Sequence, residues 1–208
     1  EGGDGAGKST LASSLKTWFF DRGIEFISTR EPGGSVVAEK IRDILQDASL
    51  EIDALTELFL FSAARIDHLK NIVRPALFKD YVVLCDRFTT STKAYQGFGR
   101  GLSLEFIDTI NSIATGGTTP DLTIYLSVSE DVQKQRRDLR EKISQENQST
   151  RIDVESSQFH QRVCNGFQVI AAENPTSFIV VNADQTPSKI FEDIIQHKLW
   201  VKHFLDCE

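Results

Sequence analysis

Short apolar runs alternate with amphipathic stretches along most of the chain. Four runs rich in Val, Ile, Leu and Phe predict strands at Glu25–Thr29, Val82–Cys85, Leu122–Val128 and Phe178–Asn182. Runs of this kind suit strands buried on both faces, and parallel neighbours must be joined by a crossover, usually a helix. The pattern therefore predicts an α/β protein: a three-layer sandwich with a parallel sheet, expected to have five strands, between helices.

Helical periodicity fills the intervals between these strands. Pro75 lies inside the third predicted helix, where we expect a bend or an interruption. No internal repeat and no Pro- or Ser-rich linker divides the chain, so a single domain over residues 1–208 is expected. The predicted helices are Lys8–Asp21, Val36–Gln46, Ala54–Phe78, Leu104–Ala114, Glu130–Ser144, Ser156–Glu173 and Ser188–Leu205.

Composition and charge narrow the function class. The 208 residues are 40% hydrophobic and 25% charged, which excludes a mostly disordered, collagen-like or disulfide-scaffold protein. The formal net charge of −7 argues against a protein that coats a nucleic-acid polymer, because such binding needs a basic face. No apolar run approaches the roughly 18 residues of a membrane span, so no membrane association is expected.

The cysteines indicate the cellular compartment, and the first residues indicate an additional strand. Cys85, Cys164 and Cys207 are widely spaced and form no CxxC pair, which favours reduced thiols in a cytoplasmic protein. The sequence contains no Met and opens at Glu1 on a glycine-rich loop. A loop of this kind normally follows a strand, so we expect a strand before residue 1.

The glycine-rich loop carries the strongest chemical signal. Residues 2–9 read GGDGAGKS and match GxxxxGK[ST], with a helical pattern directly after them. Backbone N–H groups of such a loop cradle phosphates, the lysine reaches the β- and γ-phosphates, and the hydroxyl binds Mg²⁺. The predicted ATP-binding residues are Gly2, Gly3, Asp4, Gly5, Ala6, Gly7, Lys8, Ser9 and Thr10.

A second anchor for a Mg²⁺–nucleotide complex follows the second predicted strand. Asp86 ends the run VVLCD, and Arg87 comes next. An Asp-Arg pair after a strand is also a common surface ion pair. The carboxyl ends of parallel strands open onto one crevice, so the neighbouring phosphate loop favours the functional reading. Ser9 and Asp86 are therefore the predicted metal ligands.

The remaining motifs distinguish among phosphate-loop proteins. In order, they are TREPGG at 29–34, EKIR at 39–42, FSAAR at 61–65, DRF at 86–88 with Ser91, AYQG at 94–97, PDLTIYL at 120–126 and RID at 151–153. Their order and spacing resemble the bacterial form of the thymidylate kinase family, from Glu1 to about Gln185. The resemblance implies transfer of a phosphoryl group from ATP to dTMP, with Mg²⁺, in a homodimer.

The resemblance also implies roles for individual residues. Phe61 and Arg65 share one helix face and would stack on and donate to thymine, although an aromatic side chain at helical spacing is also a normal core residue. Tyr95 would crowd the sugar 2′ position, and Asp4 would accept from the 3′-hydroxyl. For Glu31 and Gln96, ordinary loop hydrogen bonding remains an alternative. The implied acceptor-binding residues are Asp4, Glu31, Arg42, Phe61, Arg65, Arg87, Ser91, Tyr95 and Gln96.

A basic segment over residues 134–151 is predicted to form a mobile lid. Six basic and three acidic side chains give it a net charge of +3, which a solvated helix face would also explain. In the bacterial class, lid arginines compensate for the absence of an arginine from the phosphate loop, where this chain has Gly5. By this resemblance Lys8, Arg87, Arg136 and Arg151 are the predicted catalytic residues; Thr150 departs from the acidic residue usual before the last arginine.

Two other functions remain open at this point. A nucleotide-dependent switch is disfavoured, because no Asn-Lys-x-Asp guanine reader follows a strand. A kinase that acts on another nucleoside monophosphate is the nearer alternative. Turnover across a panel of monophosphates separates these possibilities.

Overall fold

The computed structural model describes residues 1–129, 132–133, 135–136 and 150–205. Its strands are β1 (Phe26–Arg30), β2 (Val82–Asp86), β3 (Thr123–Ser127) and β4 (Phe178–Asn182). β1 pairs in parallel with β2, and β3 pairs in parallel with β4. All four strands were predicted to within about two residues at each end.

The described helices alternate with these strands as an α/β chain requires. Two π-helical segments, Leu69–Val73 and Lys93–Gly99, continue directly from α-helices. The helices are α1 (Lys8–Asp21), α2 (Val36–Gln46), α3 (Ala54–His68), α4 (Arg74–Leu77), α5 (Thr89–Thr92), α6 (Leu104–Thr115), α7 (Ser157–Glu173), α8 (Pro187–Ile195) and α9 (Lys198–Phe204).

Most of the predicted helices are confirmed, with two corrections. The interruption near Pro75 is present as the π-helical segment before α4. The predicted single helix Ser188–Leu205 is wrong, because the chain breaks between α8 and α9, where the ring of His197 caps the N–H of Leu199. The helical stretch 89–99 was not predicted. The predicted helix over 130–144 lies mostly outside the described residues.

Helices cover both faces of the β3–β4 pair. On one face, Ile124 and Leu126 join an apolar cluster with side chains of α1, α8 and α9, including Trp18 and Trp200. On the other face, Tyr125 stacks on Phe167 of α7, with ring centroids 5.3 Å apart. Alternate residues of one strand thus enter opposite cores, as in a sheet between helix layers.

The described strands form two two-stranded sheets, so a five-stranded sheet is not confirmed. Glu1 lies beside β3: its N-terminal amino group donates to the Ile124 carbonyl (2.8 Å), and its carbonyl accepts from the Leu126 N–H (3.0 Å). A groove of about 930 Å³ runs between β2 and β3 and is lined by residues of both strands and of α1. None of the helices within the described ranges is long and apolar enough to cross a membrane.

Candidate active site

The glycine-rich loop leads directly into α1. Gly7 has φ 95° and caps the helix, and Gly5 has φ 82°, so both positions favour glycine. The Lys8 side chain folds back over the loop and donates from Nζ to the carbonyls of Gly2 (3.0 Å) and Gly3 (2.9 Å). The loop therefore presents a helix N-terminus and an ammonium group to one cavity, which suits an anion.

This cavity brings together most of the predicted phosphate-binding side chains. Its volume is about 680 Å³. Gln185, from the loop after β4, also lines it. The other predicted residues that line it are Asp4, Gly5, Gly7, Lys8, Ser9, Thr10, Glu31, Arg42, Asp86, Arg87 and Arg136.

Arg87 connects the phosphate loop with the end of β2. Its guanidinium donates to Asp4 Oδ1 (2.8 Å), to the Gly2 carbonyl (2.9 Å) and to the Ser91 hydroxyl (3.2 Å). The backbone of Arg87 has φ 70°, which costs a non-glycine residue about 1–2 kcal/mol. The Tyr95 hydroxyl donates to Asp4 Oδ2 (3.4 Å). Asp4, Arg87, Ser91 and Tyr95, predicted as acceptor-binding residues, therefore form one hydrogen-bonded group.

The cavity is electrostatically suited to bind phosphates. Burial, together with the charge of Arg87, lowers the pKa of Lys8 to about 8, although three nearby carboxylates oppose the shift. Burial and the charge of Arg30 lower the pKa of Arg42. Burial disfavours the charge on Asp4, but the charges of Arg87 and Lys8 outweigh it and hold the pKa of Asp4 well below its usual range. An anion that binds among these cationic groups would stabilise their charged forms.

The cavity also offers oxygen ligands for a cation. Oδ1 of Asp86 is buried and has no hydrogen-bond partner. Ser9, at the start of α1, lines the same cavity. Within the described ranges no group of three or more His, Cys, Asp or Glu side chains is placed to hold a metal ion. Two oxygen groups from the protein fit Mg²⁺, which normally takes its remaining ligands from phosphates and water.

Arg65 is buried within a dense polar network. Its Nε donates to Glu31 Oε2 (2.7 Å), Nη1 to Asn111 Oδ1 (2.8 Å) and Nη2 to Thr92 Oγ1 (2.9 Å). The other oxygen of Glu31 lies 3.0 Å from Nδ1 of His68. The guanidinium is thus fixed from three sides, and each of its terminal nitrogens retains one N–H for a ligand.

The aromatic partner of Arg65 differs from the one that its helix suggested. Phe61 is half-buried on the same helix. The guanidinium carbon of Arg65 lies 5.2 Å from the ring centroid of Phe88, on the loop after β2. Phe88 directly follows the DR pair. A single aromatic residue in a loop belongs to no periodic pattern, so its contact with Arg65 could not be predicted. The interpretation of Phe61 as a base-stacking residue stays a prediction.

Four further polar residues around the site were given no role from the sequence. Asn111 and Thr92 hold Arg65, as described above, and His68 holds both Glu31 and the hydroxyl of Thr29 (2.7 Å). The Glu1 carboxylate accepts from the Phe88 N–H (2.7 Å) and from the Ser91 hydroxyl. Glu1 and Thr92 adjoin recognised motifs, but no spacing in the sequence shows that any of the four residues contacts the site.

The predicted lid arginines occupy different surroundings. Arg136 donates to the carbonyls of Ala183 (2.8 Å) and Gly5 (3.4 Å), so it bridges the phosphate loop and the loop after β4. Arg151 is buried and pairs with the carboxylate of Glu57, away from the phosphate cavity. Gln96 is also buried and donates to Glu57 (2.6 Å). Two other arginines of the basic segment, Arg137 and Arg140, lie outside the described residues.

Comparison with known proteins identifies the family. The family model described as thymidylate kinase matches residues 1–194. A thymidylate kinase from Dehalococcoides mccartyi is 42% identical over 197 residues, which cover 94% of this chain and 91% of that protein. One from Gloeobacter violaceus is 42% identical over 194 residues, with 93% and 90% coverage.

A solved structure gives the same result for the fold. The crystal structure of thymidylate kinase from Ehrlichia chaffeensis superposes with a TM-score of 0.74 at 31% identity, covering 94% of this chain and 93% of that one. The family match spans both the phosphate loop and the acceptor-side motifs. The chain therefore belongs to the thymidylate kinase family.

Proposed function

We propose that this protein transfers the γ-phosphoryl group of ATP to dTMP and so produces dTDP for dTTP synthesis. One observation carries the proposal: a single cavity joins the phosphate loop to Arg42, Arg87 and Arg136. A donor triphosphate and an acceptor monophosphate require such a shared space, because their phosphates must meet in line. The reaction needs no covalent intermediate, and the protein contributes positioning and charge neutralisation.

On the acceptor side, charge and shape would fix the monophosphate. Arg42 and Arg87 would hold its phosphate, and the Asp4 carboxylate would accept from the 3′-hydroxyl. The hydroxyl of Tyr95 lies beside Asp4, which supports a position near the sugar. Arg65 would donate its remaining N–H groups to the base, with Phe61 or Phe88 providing the aromatic surface. Glu31, Ser91 and Gln96 would complete the pocket.

On the donor side, Ser9 and Asp86 would hold Mg²⁺, which would supply positive charge against the charge of the phosphates. The orphaned oxygen of Asp86 supports this assignment. Lys8 would exchange its two carbonyl partners for phosphate oxygens. The loop after β4 would contact the adenine.

The lid over residues 134–151 would supply the remaining positive charge. Arg136 already contacts the phosphate loop through the Gly5 carbonyl, which supports a position next to the transferring group. For Arg151 to act there, its guanidinium would have to leave Glu57, so its catalytic role stays a prediction. Closure over both nucleotides would exclude water and limit wasteful hydrolysis of ATP.

ADP release measured with a panel of nucleoside monophosphates tests the proposal. We expect dTMP to be phosphorylated much faster than UMP, CMP, AMP or GMP, with dependence on Mg²⁺. Equal turnover of UMP, CMP and dTMP would favour a kinase of different specificity. Hydrolysis of a nucleotide without transfer to any monophosphate would instead favour a switch protein.

A second copy of this chain is the proposed partner. On α3, Leu55, Phe59 and Ile66 are spaced along one helix face and are each about half exposed. On the neighbouring α6, Phe106 and Ile113 are also exposed. Apolar side chains on adjacent helices are typical of a face covered in a symmetric dimer.

We expect sedimentation at micromolar concentration to show a dimer. Phe59→Glu places a charge on this face and should give a monomer. Phe78→Glu, at an exposed phenylalanine elsewhere, should remain a dimer.

A fifth strand between β2 and β3 would unite the two sheets of the single domain to which residues 1–208 belong. The groove between β2 and β3 and the ladder-like hydrogen bonds of Glu1 to β3 support a strand that leads into Glu1. Cytoplasmic residence accords with ATP as the phosphate donor and with Cys85 and Cys164 as thiols rather than disulfides.

A further inference from the structure

His68 is a fully buried histidine to which the proposed reaction gives no role. It is the last residue of α3, and both of its ring nitrogens have partners. Nδ1 lies 3.0 Å from Oε1 of Glu31, and Nε2 lies 2.7 Å from Oγ1 of Thr29. The second carboxylate oxygen of Glu31 accepts from Nε of Arg65 (2.7 Å). Four side chains from β1, the loop after it and α3 thus form one continuous hydrogen-bonded chain.

The direction of the hydrogen bonds in this chain follows from the chemistry of its groups. A carboxylate only accepts, so Nδ1 of His68 carries the proton that is donated to Glu31. The charges of Arg65 and Glu31 already balance, and a neutral imidazole adds no uncompensated charge to the interior. Nε2 of the neutral ring is an acceptor, so the Thr29 hydroxyl donates to it. Thr29 therefore selects the tautomer in which His68 donates to Glu31.

The ring of His68 has little room to move. The backbone at Gly34 closes over it: a Cβ atom there would lie 2.8 Å from Cδ2 of His68 and 2.5 Å from Oγ1 of Thr29. Packing and two hydrogen bonds thus hold the imidazole in one orientation. A donor that is fixed in this way sets the position of Oε1 of Glu31, and because the carboxylate is planar and rigid, Oε2 is set as well.

The fixed carboxylate determines how Arg65 presents its guanidinium. Asn111 holds Nη1, Thr92 holds Nη2 and Glu31 holds Nε. A planar guanidinium that is held at all three nitrogens aims its two remaining N–H bonds in set directions. Loss of His68 would free Oε1 of Glu31 and let the carboxylate rotate about its last bond, which would shift the guanidinium.

We propose that His68 is a positioning residue that sets the preference of the acceptor pocket for thymine over cytosine. The inference rests on the proposed function, in which Arg65 donates to the base. Thymine has a carbonyl oxygen at position 4, which accepts from a guanidinium, whereas cytosine has an amino group there, which donates. A guanidinium held in one orientation therefore binds the first base and rejects the second. His68 has no exposed surface, so it acts through Glu31 and Arg65.

Two substitutions of similar size separate the two ends of the imidazole. In His68→Asn the side-chain amide occupies the place of Nδ1 and can still donate to Glu31. In His68→Gln the amide reaches the place of Nε2, next to Thr29, and leaves Glu31 without that donor. Asp67→Ala is the control, because the adjacent Asp67 also connects α3 to the segment after β1. It does so by accepting from the Ser35 hydroxyl (2.5 Å) rather than by holding Glu31.

The measurement is kcat/KM for dTMP and for dCMP at saturating ATP. In the wild type dTMP should be strongly preferred. His68→Gln should lower the ratio of the two values by about 10-fold or more, the effect of losing one hydrogen bond to a charged group. The loss should come from a higher KM for dTMP at a nearly unchanged kcat, while the values for dCMP stay within about 3-fold. His68→Asn and Asp67→Ala should keep the ratio within about 3-fold of the wild type.

A merely structural role would lower the values for both substrates together, and an unchanged ratio in His68→Gln would overturn the proposal. An equal loss in His68→Asn or Asp67→Ala would overturn it as well, because the donor to Glu31 would then not be the cause.

Should His68→Gln not fold, His68→Leu takes its place, since it fills the same space and also lacks the donor. If neither folds while Asp67→Ala does, His68 serves folding alone and the proposal is wrong. A wild type that phosphorylates dTMP and dCMP equally would overturn the inference but leave the kinase activity in place. A wild type that does not phosphorylate dTMP would instead remove the proposed function, and this inference with it.

Discussion

At the scale of single residues, Lys8 shows how the ligand-free site is prepared for an anion. Its ammonium is held by two backbone carbonyls, and its pKa is lowered to about 8. Carbonyls offset less of the desolvation than a phosphate would. Phosphates of a bound nucleotide would therefore stabilise the protonated form of Lys8 more than these carbonyls do.

This arrangement makes ATP binding depend on pH in one direction. Below pH 8 the free protein carries the Lys8 charge, and as the pH rises through about 8 that charge is lost. A nucleotide must then bind together with a proton, so we expect ATP affinity to fall by up to about tenfold per pH unit above pH 8. Calorimetric titration at a series of pH values measures this slope.

The variant Lys8→Met supplies the control for the titration. It removes the titrating group, so its binding of ATP should be weak and nearly independent of pH over the same range. Arg42 and Arg87 keep their charge there. A slope in Lys8→Met equal to that of the wild type would assign the pH dependence to another group.

Arg65 should influence both recognition and stability. Arg65→Ala removes a donor to the base, worth about 1–3 kcal/mol, so kcat/KM for dTMP should fall by about 5- to 150-fold. It also leaves the buried carboxylate of Glu31 without its guanidinium, which typically costs about 3–5 kcal/mol of folding free energy. Steady-state kinetics and denaturant unfolding measure the two effects separately.

A double variant separates the two roles of Arg65. Arg65→Ala with Glu31→Gln removes the uncompensated charge, so stability should recover in part while dTMP efficiency stays low. Recovery of both would mean that Arg65 acts only through folding. An unchanged efficiency in Arg65→Ala would refute its role in reading the base.

At this scale the sequence predicted residue types better than partners. Lys8, Asp86 and Arg87 follow from short motifs whose spacing the chemistry requires. Phe88, Thr92 and Asn111 around Arg65 do not, because they are distant from Arg65 in the sequence and meet it only in the folded chain. Long-range polar networks of this kind have no periodic signature.

At the scale of elements, the helical stretch over residues 89–99 illustrates the same limit. Its sequence TTSTKAYQGFG contains β-branched residues and two glycines, which disfavour a helix intrinsically. It is helical because Ala94 and Tyr95 pack into a core with Phe159 and Phe167 of α7. Tertiary packing overrode propensity, whereas the strongly amphipathic α2 matched its prediction at both ends.

The lid is the element whose contribution to rate we expect to be largest. If Arg136 stabilises the transferring group, Arg136→Ala should lower kcat by about 10²- to 10³-fold, less than the ~10³–10⁵ of a single arginine finger because the task is shared. KM for dTMP should change by only about 2- to 3-fold, since the acceptor contacts remain. Steady-state kinetics with each substrate varied measures the separation.

An arginine outside the site gives the matched comparison for Arg136. Arg22 lies over the ring of Trp18, 4.1 Å from its centroid, at the end of α1. Arg22→Ala should keep the wild-type kcat. A wild-type kcat in Arg136→Ala as well would return the lid to the alternative of a solvated, charged helix face.

At the scale of the whole molecule, the pairing of the strands was more predictable than the way in which the two pairs are joined. Buried strands separated by amphipathic helices dictate parallel pairing, and both observed pairs are parallel. The sequence also placed the phosphate loop at the carboxyl ends of the strands, where the cavity lies. The groove between β2 and β3 separates the two strand pairs. It is formed by residues that are distant in the sequence, so the sequence could not predict it.

That groove leads to a prediction about stability. Both facing strand edges carry backbone groups that a central parallel strand would pair, and apolar side chains such as Val83, Leu84 and Ile124 line the space. We expect that extending the chain before Glu1 with five or so β-branched residues raises the melting temperature by several degrees, since each kcal/mol is worth about 2–4 °C in a domain of this size. An extension of equal length made of Gly and Ser should not, because it buries no apolar surface and orders poorly. Differential scanning calorimetry on the three chains decides the matter. Equal melting temperatures for all three would mean that the groove does not accept a strand, and the two pairs would then have to be regarded as separate sheets.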